Sequence, residues 1–358
     1  MIVNQAVITS TLVDGENNAS AAEKNIREIL THVFKHGAPH NAVVVFDKGC
    51  DLAIALTKAY RHCLPDSQFV DFDTHNQEAV LSVLASLNVS DLVVLIQSTN
   101  FRLEAFRIRV ELFKRGLKVI EHPHLGRMVD AEVGYYIDAL AYDPQYFRGV
   151  GEQLKAIINQ AKSGCIDSGG NAFPEARLRI GSAFESAKLN VGDYSKMPNV
   201  GGQFPIGEVF TEAQDLEAVN GRVRIFAFGD TQYRVNRPVT PITLIVERGQ
   251  VVATEDSTPQ FDAVLANIRA DEQVVWLREI GFGLNRAFSK DRSVSDIGSY
   301  ERMCGVHLSL GAKHGIYGKP NFKRGDGKYH IDVFAVTERV TLDEQVVYLD
   351  GAWRVGAE

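Results

Sequence analysis

Residues 91–96 read Asp-Leu-Val-Val-Leu-Ile, which is the most distinctive strand signal in the first half of the chain. A continuous aliphatic and β-branched run of this length is typical of a parallel-sheet strand that helices cover on both faces. Three weaker apolar runs flank it, and amphipathic stretches with helical spacing lie between the runs. The predicted strands are Ala42–Phe46, Phe69–Phe72, Asp91–Ile96 and Leu117–Ile120, and the predicted helices are Asp51–Arg61, Gln77–Ser86 and Phe101–Lys114. This alternation predicts a parallel α/β sheet.

The pattern changes after a predicted helix at Pro144–Lys162 and a segment rich in turn-forming residues at Ser163–Pro174. Short strands then alternate with Gly and Asn turns, one helix is predicted at Gln260–Arg269, and Tyr329–Val336 is predicted to form a closing hairpin with Gln345–Leu349. The other predicted strands are Arg177–Ile180, Ser186–Val191, Arg222–Phe228, Ile242–Val246 and Gln250–Ala253. We therefore expect an α/β plus α+β fold, with an α/β domain at residues 1–165 and a β-rich, mainly antiparallel domain at residues 166–358.

Composition argues against several classes of protein. The 358 residues include 38 Lys and Arg against 45 Asp and Glu, a formal net charge of −7, so no basic surface for nucleic acid is expected. No apolar run approaches the roughly 20 residues that span a bilayer, and the N-terminus lacks the pattern of a secretory signal. The four cysteines form no C-x-x-C pair, which favours a reducing compartment. We expect a cytoplasmic protein with neither a nucleic-acid nor a membrane partner.

Two histidines and an aspartate near the C-terminus are candidates for metal binding. In Tyr329–Phe334, strand alternation places His330 and Asp332 on the same face, where an imidazole and a carboxylate form a two-point grip for a metal ion. His307 lies in the apolar segment Val306–Leu310, where a polar ring needs a partner. Each signal is weak alone, because a His–Asp pair on a sheet surface or a core histidine bonded to a carbonyl has the same pattern.

Two glutamates interrupt apolar stretches in the same half of the chain. Glu279 lies within Val274–Gly283, where small residues follow it, and Glu208 lies within Phe204–Thr211. A carboxylate in such surroundings is costly unless it is paired or bound to a cation, so an arginine partner explains each one taken alone. Together, two Glu, two His and one Asp without an excess of basic neighbours are a suitable ligand set for a two-metal site.

These motifs resemble those of the metal-dependent aminopeptidases of the aminopeptidase T and S type. The matching segments, in the family's order and within roughly residues 185–351, are Gly207–Thr211, Glu279–Asn285, Val306–Gly311 and His330–Asp332. The resemblance implies two divalent ions (zinc, cobalt or manganese), a small peptide or small-molecule substrate, and a homodimer. The metal ligands that it implies are Glu208, Glu279, His307, His330 and Asp332.

Under this resemblance the reaction is hydrolysis, in which two metal ions activate a water molecule that attacks an amide carbonyl. Asp332 is then the candidate bridging ligand. Glu279 is also the candidate general base, because apolar surroundings raise the pKa of a carboxyl group. The family carries a tyrosine seven residues after its metal-binding histidine, and here that position is His314, with Tyr317 three residues further on. We assign His314 a catalytic role, either stabilising the oxyanion or donating a proton.

The chain also resembles 2,5-dihydroxypyridine 5,6-dioxygenase, a ring-cleaving enzyme of similar length that keeps the H-x-D motif and has histidine at the position of Glu279. This resemblance implies a mononuclear non-haem Fe(II) held by His307, His330 and either Asp332 or Glu279, with a small aromatic or amino-acid-derived substrate. A third interpretation is a non-catalytic scaffold that retains the site. The ligand set favours the hydrolase, whereas the chain length favours the oxygenase.

Overall fold

The structure, a computed structural model, describes residues 17–101, 108–319, 322 and 327–355. The strands are β1 Ala42–Phe46, β2 Gln68–Asp71, β3 Leu92–Ile96, β4 Lys118–His122, β5 Gly164–Asp167, β6 Arg177–Ile180, β7 Lys188–Asn190, β8 Val200–Gln203, β9 Glu208–Glu212, β10 Val219–Gly229, β11 Val235–Asn236, β12 Ile242–Glu247, β13 Gln250–Glu255, β14 Leu277–Gly283, β15 Gly305–Leu310, β16 Ile331–Ala335, β17 Arg339–Leu342, β18 Gln345–Leu349 and β19 Ala352–Trp353.

The helices include α1 at residues 17–28, which continues as a π-helical segment, Ile29–Val33. The others are α2 Asp51–Cys63, α3 Gln77–Ala85, α4 Ile108–Lys114, α5 Ala131–Ala139, α6 Pro144–Gln160, α7 Pro259–Glu272 and α8 Ile297–Tyr300, with 3-10 turns at Leu125–Arg127 and Leu216–Ala218. The predicted helix at Phe101–Lys114 is helical from Ile108, and its residues 102–107 lie outside the described part of the chain. Of the helices described, none has the length and apolar character needed to cross a membrane.

The described chain divides into two compact units. The first contains the described residues up to Pro144 together with Gly192–Ile206, and the second contains Gln145–Val191 and the described residues from Gly207 onward. The predicted boundary between residues 165 and 166 falls after α6, the first helix of the second unit. The predicted domain ranges, 1–165 and 166–358, stay a prediction.

The first unit is built on a parallel sheet in the order β2-β1-β3-β4-β8. Every residue of β3, at the middle of this order, is fully buried, as its unbroken apolar run predicts. Side chains such as Val43, Val93 and Val119 pack with Leu84 and Leu112 from the flanking helices into one apolar core. The predicted parallel α/β architecture is therefore confirmed.

The second unit contains an antiparallel sheet in the order β19-β18-β17-β5-β6-β10-β16-β15-β14-β9-β7, with β11 and β12 also paired to β10, and β13 paired to β12. The prediction of a β-rich second half is confirmed. The predicted closing hairpin is wrong, because β18 pairs with β17, while β16 pairs with β10 and β15. The segment rich in turn-forming residues, Ser163–Pro174, contains β5, for which no strand was predicted and which pairs with β6 and β17.

Candidate metal centre

Four neighbouring strands of the second unit bring most of the predicted ligands together. In the sheet order β16-β15-β14-β9, Asp332 lies in β16, His307 in β15, Glu279 in β14, and Glu208 is the first residue of β9. His330 immediately precedes β16. Because the strands are antiparallel neighbours, residues that are far apart in sequence face one another across the sheet.

A glycine at position 281 leaves room for the His307 imidazole. Gly281 of β14 lies directly opposite His307 of β15. A Cβ atom on Gly281 would lie 1.9 Å from Cε1 of that ring and 2.1 Å from its Nε2. These separations are far below van der Waals contact, so the ring occupies a position that only glycine permits. The small residues that follow Glu279 in the sequence therefore have a steric role.

Substituting Gly281 by alanine is expected to push the His307 ring out of the cluster and to abolish metal binding by the Glu208, Glu279 and His307 group, at a folding cost of about 1–3 kcal/mol from overpacking. The measurement is a zinc titration of the folded variant with a competing chromogenic chelator. Gly149→Ala is the matched control, because a Cβ at that helical position meets no atom within 4 Å. Wild-type metal affinity in Gly281→Ala would contradict the steric role.

Glu208, Glu279 and His307 form a buried group whose ligand atoms all lie within 4.8 Å of one another. Nε2 of His307 lies 3.3 Å from Oε1 of Glu208 and 3.5 Å from Oε1 of Glu279. All three side chains are less than a tenth exposed. Two carboxylate oxygens and one imidazole nitrogen that converge at this spacing are a donor set suited to a divalent transition-metal ion.

Two buried polar atoms of the candidate ligands lack a hydrogen-bond partner among the described residues. They are Nε2 of His307 and Oδ1 of Asp332. Each lies close to an opposite charge, since Oδ1 of Asp332 is 3.2 Å from Nε2 of His330, but neither makes a hydrogen bond. Leaving such atoms unpaired in a protein interior costs free energy, whereas a metal ion would satisfy both as ligands. The residues present therefore fit the divalent metal that the sequence resemblance implies.

His330 is oriented as a metal-binding histidine would be. Its Nδ1 lies 3.2 Å from the carbonyl oxygen of Lys313, which can only accept a hydrogen bond. The hydrogen that stays on the ring is therefore assigned to Nδ1, so displacement of the second proton by a metal leaves the lone pair on Nε2, next to Asp332. Donation from one ring nitrogen to a backbone carbonyl is the usual way in which a protein orients the other nitrogen toward a metal.

In the neutral His314 ring, the hydrogen lies on the other nitrogen, Nε2. Its Nδ1 accepts hydrogen bonds from the backbone N–H groups of Ile316 and Tyr317, so the neutral ring carries its hydrogen on Nε2. That Nε2 donates to Oε2 of Glu279 over 2.8 Å. Tyr317 is directed elsewhere, because its hydroxyl donates to the carbonyl of Ser186. The geometry favours His314 as a residue that positions Glu279, and its predicted role with the oxyanion or a proton stays a prediction.

Two substitutions of His314 separate these roles. His314→Leu removes the donor and is expected to weaken metal binding about 10- to 100-fold, as the loss of an outer hydrogen bond to a ligand commonly does. His314→Gln keeps an N–H donor and is expected to retain most of that affinity. If His314 instead donated a proton during turnover, His314→Gln would bind metal normally yet lose as much of its kcat as His314→Leu.

The carboxylates hold two imidazoles in the protonated form. Burial disfavours the charged ring of His307, but Glu208 and Glu279 outweigh burial and raise its pKa to about 10. Burial likewise opposes the charged form of His330, and Asp332 beside it raises that pKa to about 9. A metal ion at the site therefore competes with protons on both rings.

The pKa of Glu279 differs from the sequence-based prediction. Burial acts to raise it, as predicted from the apolar surroundings, but His307 and His314 outweigh burial and hold the pKa of this carboxyl well below its usual range. The prediction of a raised pKa is therefore wrong. A carboxylate that is held ionised is a weak proton acceptor, which favours Glu279 as a ligand over Glu279 as a general base.

Sequence reasoning missed two buried arginines, one in contact with Glu208 and one in contact with the backbone around His314. Arg302 is buried, and its Nη1 lies 3.1 Å from Oε2 of Glu208. Arg278 is equally buried, pairs with Glu212, and donates to the carbonyls of Ala312 and Tyr317 on either side of His314. Arg278 adjoins Glu279 within the apolar stretch Val274–Gly283, so a second charged residue there was a readable signal. Arg302 stands outside any apolar pattern.

Comparison with known proteins identifies a shared fold and no matching family. No protein-family model matches the chain, and no curated protein matches it. Among solved structures, wild-type AmpT from Thermus thermophilus matches with a TM-score of 0.55 and 14% sequence identity, covering 94% of this chain and 99% of that one. The chain shares the fold of AmpT. The likeness to AmpT extends over nearly the full length of both chains, and at this identity it shows the fold alone.

Proposed function

We propose that the chain is a metal-dependent hydrolase of the aminopeptidase T and S type, which cleaves amide bonds in small peptides with two zinc, cobalt or manganese ions. The observation that carries the proposal is the convergence of Glu208 and Glu279 on Nε2 of His307, a buried nitrogen that has no hydrogen-bond partner among the described residues. The order of the ligand motifs in the sequence and the fold shared with AmpT support it.

When bound, the ions would polarise the scissile carbonyl and supply an activated water. Glu208, Glu279 and His307 would hold one ion, while His330 and Asp332 would complete the set, with Asp332 as the candidate bridge. The chain prepares these ligands by hydrogen bonding: Lys313 orients His330, and the backbone after His314 orients the ring that holds Glu279. With its Oε2 held by His314, Glu279 presents Oε1 to His307.

The test combines metal content with hydrolysis of a panel of aminoacyl p-nitroanilides and dipeptides, using protein reconstituted with zinc, cobalt or manganese. We expect metal-dependent release of the N-terminal amino acid, lost in His307→Ala and retained in His62→Ala, whose side chain is largely exposed. A single iron with oxygen uptake on hydroxypyridine or catechol substrates would instead establish the dioxygenase. A folded protein that binds no metal would establish the scaffold.

A further inference from the structure

Arg302 is held in place beside the metal centre by its own backbone. It follows α8 and precedes β15, and its carbonyl accepts a hydrogen bond from the backbone N–H of Asn285, just after β14. Its side chain is only 7% exposed. A guanidinium stays charged under all conditions in which proteins fold, so a permanent positive charge lies beside Glu208.

The Arg302 guanidinium faces two carboxylates that differ in exposure. Its Nη1 contacts both Glu208 and Glu301, while its Nε is buried without a hydrogen-bond partner among the residues described. Glu301 is 22% exposed, so water screens its charge more than it screens the buried charges of Arg302 and Glu208. A net attraction between the buried charges of Arg302 and Glu208 therefore remains.

The two glutamates of the cluster are held by different kinds of donor. Oε1 of each one faces His307, and Oε2 of each one contacts a group outside the cluster. For Glu279 that group is His314, whose tautomer is that of a neutral donor. For Glu208 it is the fixed cation of Arg302. A carboxylate already neutralised by a cation attracts a divalent ion less strongly.

We propose that Arg302 is a fixed counter-cation that weakens divalent-metal binding at Glu208, so that the two ions bind with unequal affinity and the ion that uses Glu208 is the weaker one. This inference rests on the metal site of the proposed function and is independent of the reaction catalysed there. It makes Arg302 a positioning residue that sets metal occupancy through Glu208.

The test is a titration of metal-free protein with zinc in competition with a chromogenic chelator, and with cobalt followed by its visible absorption. The wild type is expected to bind one equivalent tightly and a second more weakly. Arg302→Gln, which removes the charge and keeps N–H donors, is expected to tighten the weak step at least about tenfold, because the repulsion between like charges is lost. Arg302→Lys keeps the charge and is expected to leave the two steps unequal.

Two further variants make the result specific. Glu301→Gln removes the competing carboxylate and is expected to weaken the second step, opposite to Arg302→Gln. Arg177→Gln removes an arginine that pairs with Asp167 elsewhere in the same unit, and is expected to change neither step. Thermal melts of each metal-free variant verify folding.

Unchanged or weaker metal binding in folded Arg302→Gln would overturn the inference, and so would equal tightening in Arg302→Lys. Both outcomes leave the proposed function intact, because metal would still bind at the site. Absence of metal binding in the wild type would instead overturn the proposed function itself.

Discussion

Replacing Asp332 by alanine is expected to lower the metal content of the protein to less than about a tenth of the wild-type content and kcat/KM on peptide substrates by at least about a thousandfold. Oδ1 of Asp332 is buried without a hydrogen-bond partner among the described residues and lies 3.2 Å from His330. The substitution therefore removes a ligand oxygen and leaves the imidazole beside it without its counter-charge. Elemental mass spectrometry and steady-state kinetics on the same preparation measure both effects.

The matched control is Asp350→Ala, which removes an aspartate that is 77% exposed and pairs only loosely with Arg354. It is expected to change neither metal content nor turnover, since exposed ion pairs contribute little. Normal metal content in Asp332→Ala would show that Asp332 is not a ligand.

Metal binding is expected to weaken steeply as the pH falls. His307 and His330, with pKa values of about 10 and about 9, are protonated at neutral pH in the metal-free protein. Filling both metal positions must displace both protons, so the product of the two apparent association constants should rise about a hundredfold per pH unit between pH 6 and 8 and level off above pH 10. Zinc titrations at several pH values, corrected for the chelator's own protonation, give the slope.

A variant separates the contributions of the two rings. His330→Asn removes one of the displaced protons, so the product of the two association constants is expected to be lower than in the wild type and to change only about tenfold per pH unit. A wild-type affinity that does not change between pH 6 and 8 would contradict the protonation of both rings.

The sequence predicts the parallel sheet of the first unit well, because its strands are continuous apolar runs with a local signature. The exception is β8, Val200–Gln203, which completes the sheet beside β4. Gly201 and Gly202 make up half of that strand, and both have positive φ angles. A glycine-rich segment carries no strand signal, and its partner lies far away in the sequence, so only the folded structure reveals the pairing.

In the second unit, local patterns located the strands better than their partners. Gln345–Leu349 was predicted correctly as a strand, but its hairpin partner is Arg339–Leu342, not the more apolar segment that ends at Val336. Asp343, with a φ of 49°, lies in the turn between them. Alternation of side chains identifies a strand, whereas the choice of neighbour depends on turn geometry and burial of the whole sheet.

For the site, residue types and motif order suffice to nominate the ligands, whereas their environment requires the structure. The steric role of Gly281, the tautomer of His314 and the charge of Arg302 all depend on contacts between different strands and loops. The pKa of Glu279 is the clearest example. Its apolar sequence context predicts a raised pKa, and two histidines from distant segments reverse the direction.

The most direct test of a divalent metal centre is elemental mass spectrometry of protein purified without chelator, reconstituted with zinc, cobalt or manganese, and desalted. The wild type is expected to retain at least one tightly bound ion per chain and to reach two at higher free metal, and Asp332→Ala, which removes the candidate bridge, is expected to retain less than about a tenth of that amount. A folded wild-type protein that retains no metal after reconstitution, or that retains only a single iron, would contradict the two-metal hydrolase.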